Sequence, residues 1–236
     1  FSLVFLFNIA YTHGILLAAA VATMVVGVLG AAAYNEFRRI LSFHIISQVG
    51  YMVLGLALFT PLALAGSVFY LMHHMIVKAN LFLISGVSAR ITGSFELKKL
   101  GGLYHSHKFV ALLFFIPAFS LAGFPPLSGF WAKLILVRAG LETGAYVAAG
   151  AAVVVGLLTA YSMTKIWGEA FWKPVPDRES AEKGRPDMWM LLPVSALAIL
   201  TLMIGLVPGP FLAIAEQAAH ELTHPEIYVN AVLGDR

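Results

Sequence analysis

The sequence is a succession of long apolar runs, separated by short polar segments. A bilayer core needs about 20 consecutive apolar residues for one helical crossing, and backbone exposed to lipid must satisfy its own hydrogen bonds, as a helix does. We place the runs at 14–34, 40–59, 62–89, 109–137, 145–167 and 188–207. Because 60% of the residues are hydrophobic and only 11% are charged, we predict an all-α polytopic membrane protein with about six transmembrane helices.

The runs predict one helical bundle over residues 1–207, with a tail over residues 208–236. Residues 1–12 are apolar but too short to span, so we interpret them as the end of a span whose start lies upstream. Pro208, Gly209 and Pro210 end the sixth run. We expect the tail that follows them to be extracytoplasmic.

The cations divide unequally between the loops on the two predicted sides. Eleven of the fifteen lie on one side: Arg38, Arg39, Arg90, Lys98, Lys99, Lys108, Lys165, Lys173, Arg178, Lys183 and Arg185. The other side has only Arg138 and Arg236, and Lys78 and Lys133 lie inside spans. Cytoplasmic loops carry excess Lys and Arg, which predicts that the side with eleven cations is cytoplasmic and that the carboxyl terminus is outside.

The fourth run contains a predicted helix break. Pro125 and Pro126 lie near its middle between Gly123 and Gly129, and two adjacent prolines remove two helical donors. Freed backbone at membrane depth is tolerated where protein or a watery cavity surrounds it. Lys133 follows the break, which favours part of an ion path, although a lysine near a helix end can also snorkel to the interface.

A polar stripe is predicted on the third run. Lys78 lies near the middle of this run, where a lysine costs about 2.5–3.5 kcal/mol on insertion scales. His74, Tyr70 and Ser67 precede it by helical spacing and share its face. Because histidine titrates near neutral pH, the stripe suits a proton relay. The alternative is hydrogen bonding that only joins helices. His73 points about 100° away and is a supporting candidate.

Polar residues on two other runs are further candidates. His44, Ser47 and Gln48 share one side of the second run; they either line water or bond neighbouring helices. Lys165 and Glu169, four residues apart, predict an interfacial ion pair.

Several other chemistries are not supported. The chain has no cysteine, which excludes disulfides, thiolate iron–sulfur clusters and cysteine nucleophiles. It lacks a Walker-type phosphate loop, a Rossmann glycine pattern and HExxH. His73 and His74 have no spaced third ligand, so we expect no metal and no cofactor. No basic cluster with interleaved aromatic residues indicates nucleic acid.

Three stretches together resemble the antiporter-like membrane subunits shared by Mrp-type antiporters, respiratory complex I and membrane-bound hydrogenases. They are residues 37–51 (FRRILSFHIISQVGY), 72–83 (MHHMIVKANLFL) and 120–133 (SLAGFPPLSGFWAK). Residues 163–172 (MTKIWGEAFW) are most similar to the D-type subunits of Mrp-type sodium/proton antiporters.

The resemblance implies a fourteen-helix protein with two inverted repeats, of which this chain is the carboxyl half, containing the second repeat. It implies that Lys78 is the central relay lysine and that Lys133 is the ionisable group near the exit. His74 matches a relay histidine of some members, whereas Tyr70 departs from a histidine that certain relatives have there.

We therefore expect a transporter subunit rather than an enzyme, in a bacterial inner membrane. Protons would move along His44, His74, Lys78 and water towards Lys133. The partners would be other antiporter subunits, lipid, protons and monovalent cations, with sodium expected, although no oxygen-rich cage separates sodium from potassium. The alternatives are a proton-pumping subunit of NADH-quinone oxidoreductase or a hydrogenase, and a non-conducting structural subunit.

Overall fold

The structure is a computed structural model that describes residues 10–176, 184, 186–224 and 226. Within these residues the chain is a helical bundle without named strands. The helices are α1 (Ala10–Ala33), α2 (Phe37–Leu58), α3 (Pro61–Thr92), α4 (Leu103–Ser106), α5 (Lys108–Ala122), α6 (Ser128–Glu142), α7 (Tyr146–Ile166), α8 (Met188–Leu206) and α9 (Gly209–Thr223). A 3-10 turn covers Leu97–Lys99, and a π-helix over Trp167–Trp172 continues α7.

The predicted all-α membrane architecture and the helix break are confirmed. Five described helices are long and apolar enough to cross a membrane, namely α1, α2, α3, α7 with its π-helical end, and α8. The fourth predicted span is divided into α5, which ends at Ala122, and α6, which begins at Ser128. Gly123 follows α5 with φ +95, a left-handed conformation that glycine adopts without steric cost.

Several helices extend beyond the predicted runs, among them α2, which begins at Phe37, and α6, which ends at Glu142. Residues 10–12 belong to α1 rather than to a preceding span, because no helix breaker separates them from His13; residues 1–9 lie outside the described part. The polar stretch after α7 is helical as far as Trp172. Helix α3 extends three residues beyond the predicted end, to the left-handed Gly93.

The predicted tail contains a helix. Ala215 and Ala219 are buried on one side of α9, and Ala219 packs with Leu64 and Ala65 of α3. The exposed side includes Glu216. Helix α9 therefore lies against the beginning of α3, while residues 225 and 227–236 fall outside the described part of the chain.

The predicted ion pair between Lys165 and Glu169 is wrong. Lys165 Nζ instead donates to the backbone oxygens of Ala32 and Tyr34, at 3.0 and 2.6 Å. Glu169 pairs with Lys173 at 2.6 Å. The last carbonyls of a helix lack helical donors, so the end of α1 provides acceptors that the spacing rule does not include.

Close packing of α1 against α2 depends on glycine. A Cβ at Gly27 would lie 2.3 Å from the backbone nitrogen of Ser47, and one at Gly50 would lie 2.8 Å from the backbone oxygen of Ala20. Both distances are too short for a real Cβ, so the two helices meet at nearly backbone-to-backbone distance. This contact holds the polar side of α2 in position between α1 and α3.

We expect Gly27→Ala to destabilise the protein, because the new methyl group must push α1 away from Ser47. Overpacking typically costs about 1–3 kcal/mol. Thermal unfolding of the full-length protein in detergent measures the effect. Gly14→Ala in the same helix is the matched control, since nothing lies within 4 Å of its Cβ position. Equal melting temperatures for the two variants would contradict this packing.

Candidate functional site

The predicted stripe on α3 faces α2. Lys78 is buried, and its Nζ donates to the backbone oxygen of Leu41 at 3.1 Å. Nearer the beginning of α3, Ser67 Oγ donates to the backbone oxygen of Met52 at 2.8 Å. His74, one turn before Lys78, is also buried. The stripe therefore forms part of a helix–helix contact and is shielded from lipid.

Side-chain hydrogen bonds connect this stripe to two further helices. The Tyr70 hydroxyl donates to Oε1 of Gln48 on α2, and Nε2 of Gln48 is 3.5 Å from the Thr159 hydroxyl on α7. Ser47 points the other way and donates to the backbone oxygen of Met24 on α1 at 2.9 Å. Of the polar side chains predicted on α2, Ser47 thus joins helices, whereas Gln48 is part of a buried polar chain.

His73 contacts both the helix break and the Lys78 stripe, since its ring also meets the Tyr70 ring edge-on with centroids 5.8 Å apart. Its Nδ1 is 2.8 Å from Ser128 Oγ, which is 2.9 Å from Ser120 Oγ. Ser120 Oγ also accepts from the backbone N–H of Gly129 at 3.3 Å. All three side chains are fully buried. The two serines were not among the sequence candidates; the available signal was that they flank the prolines on both sides.

The end of α5 leaves two backbone carbonyls without a helical donor. The Phe119 oxygen accepts from the N–H groups of Gly123 and Phe124, and the Ser120 oxygen accepts from Gly123. In an uninterrupted helix, the next two carbonyls would accept from residues 125 and 126. Both are proline and have no N–H, so the break generates two acceptors that need another donor.

Lys133 is that donor. Its Nζ lies 2.9 Å from the backbone oxygen of Leu121 and 3.0 Å from that of Ala122. An ammonium group at this position also meets the negative end of the helix dipole. Instead of extending towards an interface, the side chain turns back to the break. We call the Leu121 and Ala122 oxygens the carbonyl pair.

The Lys133 ammonium lies beside an aromatic ring and an open space. Its nitrogen is 5.4 Å from the centre of the Tyr51 ring, within the usual range for cation–π attraction. The same ring stacks on Tyr70 with centroids 5.1 Å apart, which connects Lys133 with the α3 stripe. A cavity of about 420 Å³ opens between the break and α7, with Lys133 in its wall.

Several buried side-chain atoms have no hydrogen-bond partner in the described protein. They are both ring nitrogens of His44, Nε2 of His73, Nε2 of His74, both polar atoms of Asn80, and Ser88 Oγ. Buried polar atoms normally have a partner, either protein or water. His74 belongs to the Lys78 stripe, His73 contacts the break and His44 is buried on α2, so this region has the polar groups that a hydrated path requires. Asn80, two residues after Lys78, was not among the sequence candidates.

No metal centre is formed in the described part of the chain. No group of three or more His, Cys, Asp or Glu side chains is arranged to hold an ion there.

We expect Ser128→Ala to destabilise the protein by about 1–3 kcal/mol, because it leaves Nδ1 of buried His73 without its hydrogen bond. Thermal unfolding of the full-length protein measures this. Ser42→Ala is the control, since Ser42 is exposed and donates only to Arg38 in its own helix. A loss no larger than that of the control would show that the His73–Ser128 contact contributes little.

Comparisons with known proteins agree with this architecture. Residues 1–159 match the family model described as NADH:quinone oxidoreductase/Mrp antiporter, transmembrane. The D-type subunit of the Na⁺/H⁺ antiporter of Alkalihalophilus pseudofirmus is 46% identical, over 99% of this chain and 47% of that protein. Its counterpart from Bacillus subtilis is 35% identical, with the same two coverages. The chain thus spans about half the length of the curated relatives it matches.

Solved structures of antiporter-like membrane subunits are also similar to this chain. A chain in the Mrp complex from Dietzia sp. is 37% identical with a TM-score of 0.88, covering 95% of this chain and 50% of that one. A chain of respiratory complex I from Thermus thermophilus is 25% identical with a TM-score of 0.78, covering 90% of this chain and 45% of that one. The chain is an antiporter-like, multi-pass membrane protein and belongs to the NADH:quinone oxidoreductase/Mrp antiporter transmembrane family.

Proposed function

We propose that this chain is the proton-translocating part of a subunit in a multisubunit monovalent cation/proton antiporter. The observation that supports the proposal most is the arrangement of two lysines, on α3 and α6, joined by buried polar and aromatic side chains. The Tyr51 ring, 5.4 Å from the Lys133 ammonium, stacks on Tyr70 of the Lys78 stripe. The two bacterial relatives, both named as Na⁺/H⁺ antiporter subunits, suggest the cation and the partner subunits.

In the proposed path, protons move between His44, His74 and Lys78 through water and continue to Lys133. The ring nitrogens of His44 and Nε2 of His74 that lack protein partners supply donors and acceptors for that water. Each lysine alternates between its charged and neutral forms, so that a charge at one site disfavours a charge at the other. No covalent chemistry and no redox centre is needed.

His73 provides a second connection in this proposal. Its hydrogen bond to Ser128 and the Ser128–Ser120 contact bring a titratable ring to the break that holds Lys133. Of the two adjacent histidines, only His73 has a described hydrogen bond to the break, whereas Nε2 of His74 has no protein partner. His74 belongs to the Lys78 stripe, and His73 links α3 to the break.

We further propose a bacterial inner membrane as the location. By the positive-inside rule, the loops that carry most of the Lys and Arg residues face the cytoplasm, and the carboxyl terminus is outside. In this orientation α5 enters from the cytoplasmic side and Lys133 lies beyond the break, towards the outside. Lipid and other antiporter subunits would cover the exposed apolar faces.

We expect Lys133→Ala in the full-length protein to reduce cation-dependent proton exchange at least tenfold while the complex still assembles. The variant removes the proton carrier at the break. Sodium-dependent dissipation of a pH gradient in everted membrane vesicles measures exchange. Lys165→Ala is the matched control, because Lys165 also donates to two backbone carbonyls but lies near the end of α7. Wild-type exchange in Lys133→Ala would reject the role of Lys133.

Lys78→Met separates conduction from a scaffold role. Methionine keeps the approximate length of the side chain, so helix packing is preserved. It also removes a charge that costs about 2.5–3.5 kcal/mol to insert. We expect the complex to assemble and exchange to be lost. A structural subunit would give the reverse, with exchange per assembled complex unchanged and the yield of complex reduced.

The second candidate function is that of a pumping subunit in a redox complex, which the similarity to complex I supports. The genes beside the coding sequence distinguish the two. Small antiporter subunits are expected for the antiporter, and dehydrogenase or hydrogenase subunits for the alternative.

A further inference from the structure

The carbonyl pair has the ligand chemistry of a monovalent cation site. Two backbone oxygens approach one cationic group at 2.9 and 3.0 Å, at the negative end of α5. Carbonyl oxygens are good ligands for hard cations, whereas divalent ions are usually held by carboxylates as well. The described residues that line the adjoining cavity include no acidic residue. The site therefore suits a single positive charge.

Space for an ion exists beside the carbonyl pair. Gly156 on α7 faces the Lys133 ammonium, and a Cβ there would be 3.8 Å from the nitrogen. Gly123 lies on another side, with its Cβ position 3.6 Å from the same atom. Because neither residue has a side chain, the ammonium can move aside into the cavity of about 420 Å³ that Lys133 lines.

The ring of Tyr51 completes the surroundings. It presents its π system 5.4 Å from the ammonium, and its hydroxyl is held by the backbone oxygen of Ala152. A ring fixed in this way attracts a small cation at the break whether that cation is an ammonium group or a metal ion.

Two positive charges cannot occupy this place together. At about 4 Å, two unit charges repel by about 4 kcal/mol near a protein surface. The described residues that line the cavity beside Lys133 include no Asp or Glu that would offset a second cation. Occupation by an ion therefore requires that the Lys133 side chain lose its proton or leave.

We propose that the carbonyl pair is a binding site for an inorganic monovalent cation, which occupies it alternately with the Lys133 ammonium. The inference rests on the proposed cation/proton antiport, and it adds the place where cation and proton compete. When the ammonium is present, the two oxygens are satisfied by its protons. When it is absent, Na⁺ takes the same oxygens, with water from the cavity completing its coordination.

The test is binding of radioactive sodium to the purified complex that contains the full-length protein. Lys133→Met removes the competing charge and leaves the oxygens free, so Na⁺ affinity should rise by about tenfold or more. Lys133→Arg keeps a permanent charge with donors of similar reach, so binding at this site should be lost. Lys165→Met is the control and should bind sodium as the wild type does. Excess Mg²⁺ should not displace the sodium.

Equal sodium affinity in the wild type, Lys133→Met and Lys133→Arg would overturn the inference. If Lys133→Met fails to assemble, Lys133→Gln replaces it, and the comparison of wild type with Lys133→Arg decides by itself whether binding depends on this lysine. The transport assay keeps the two proposals apart. If Lys133→Ala loses exchange but sodium binding does not depend on Lys133, the shared cation site is rejected and the proton path is retained. If Lys133→Ala exchanges as the wild type does, the proton path is rejected.

Discussion

The contact between the Lys133 ammonium and the oxygens of Leu121 and Ala122 is the constraint around which the functional half of this chain is arranged. Consecutive prolines remove the donors that these two oxygens would have in a continuous helix. A carbonyl without a partner at membrane depth costs several kcal/mol, so a partner for these oxygens, whether the lysine, water or an ion, stabilises the break. The lysine satisfies both carbonyls, and the carbonyls in turn stabilise a cation that lipid would exclude. Each feature explains how the other is tolerated.

The second organising element is α3, which carries two polar faces. One face contacts α2 through Ser67, Tyr70 and Lys78. The other reaches the break through His73 and Ser128. Close packing of α1 on α2 at Gly27 and Gly50 holds α2, the helix that the first face contacts, in position. The adjacent histidines of α3 lie on different faces of the helix, so α3 can connect the Lys78 stripe with the break that holds Lys133. This is the physical basis for proposing one proton path that includes both lysines.

Much of the candidate site could be predicted from the sequence because charged and helix-breaking residues are rare inside apolar runs. Lys78, Lys133 and the two prolines stand out for that reason, and the break between Gly123 and Gly129 was predicted from residue chemistry. Other contacts could not be predicted from the sequence, and the reasons are also physical. Ser120 and Ser128 are common residue types in membrane helices, so nothing in their identity marks a hydrogen bond to His73. Lys165 fits a helical ion pair by spacing, yet the free carbonyls at the end of α1 are better acceptors in space. Asn80 lies among apolar neighbours, and its lack of a protein partner is a property of packing.

The sequence by itself determined that the chain is an all-helical membrane protein, where its fourth span breaks, and which two lysines lie inside spans, because hydropathy and proline chemistry act locally along the chain. Only the tertiary structure decided what those lysines touch. The prolines indicate that the Leu121 and Ala122 oxygens lack helical donors, but only the structure shows that Lys133 of α6 lies within 3.0 Å of both. The same holds for the contact of His73 with Ser128, which depends on where the break lies around α3.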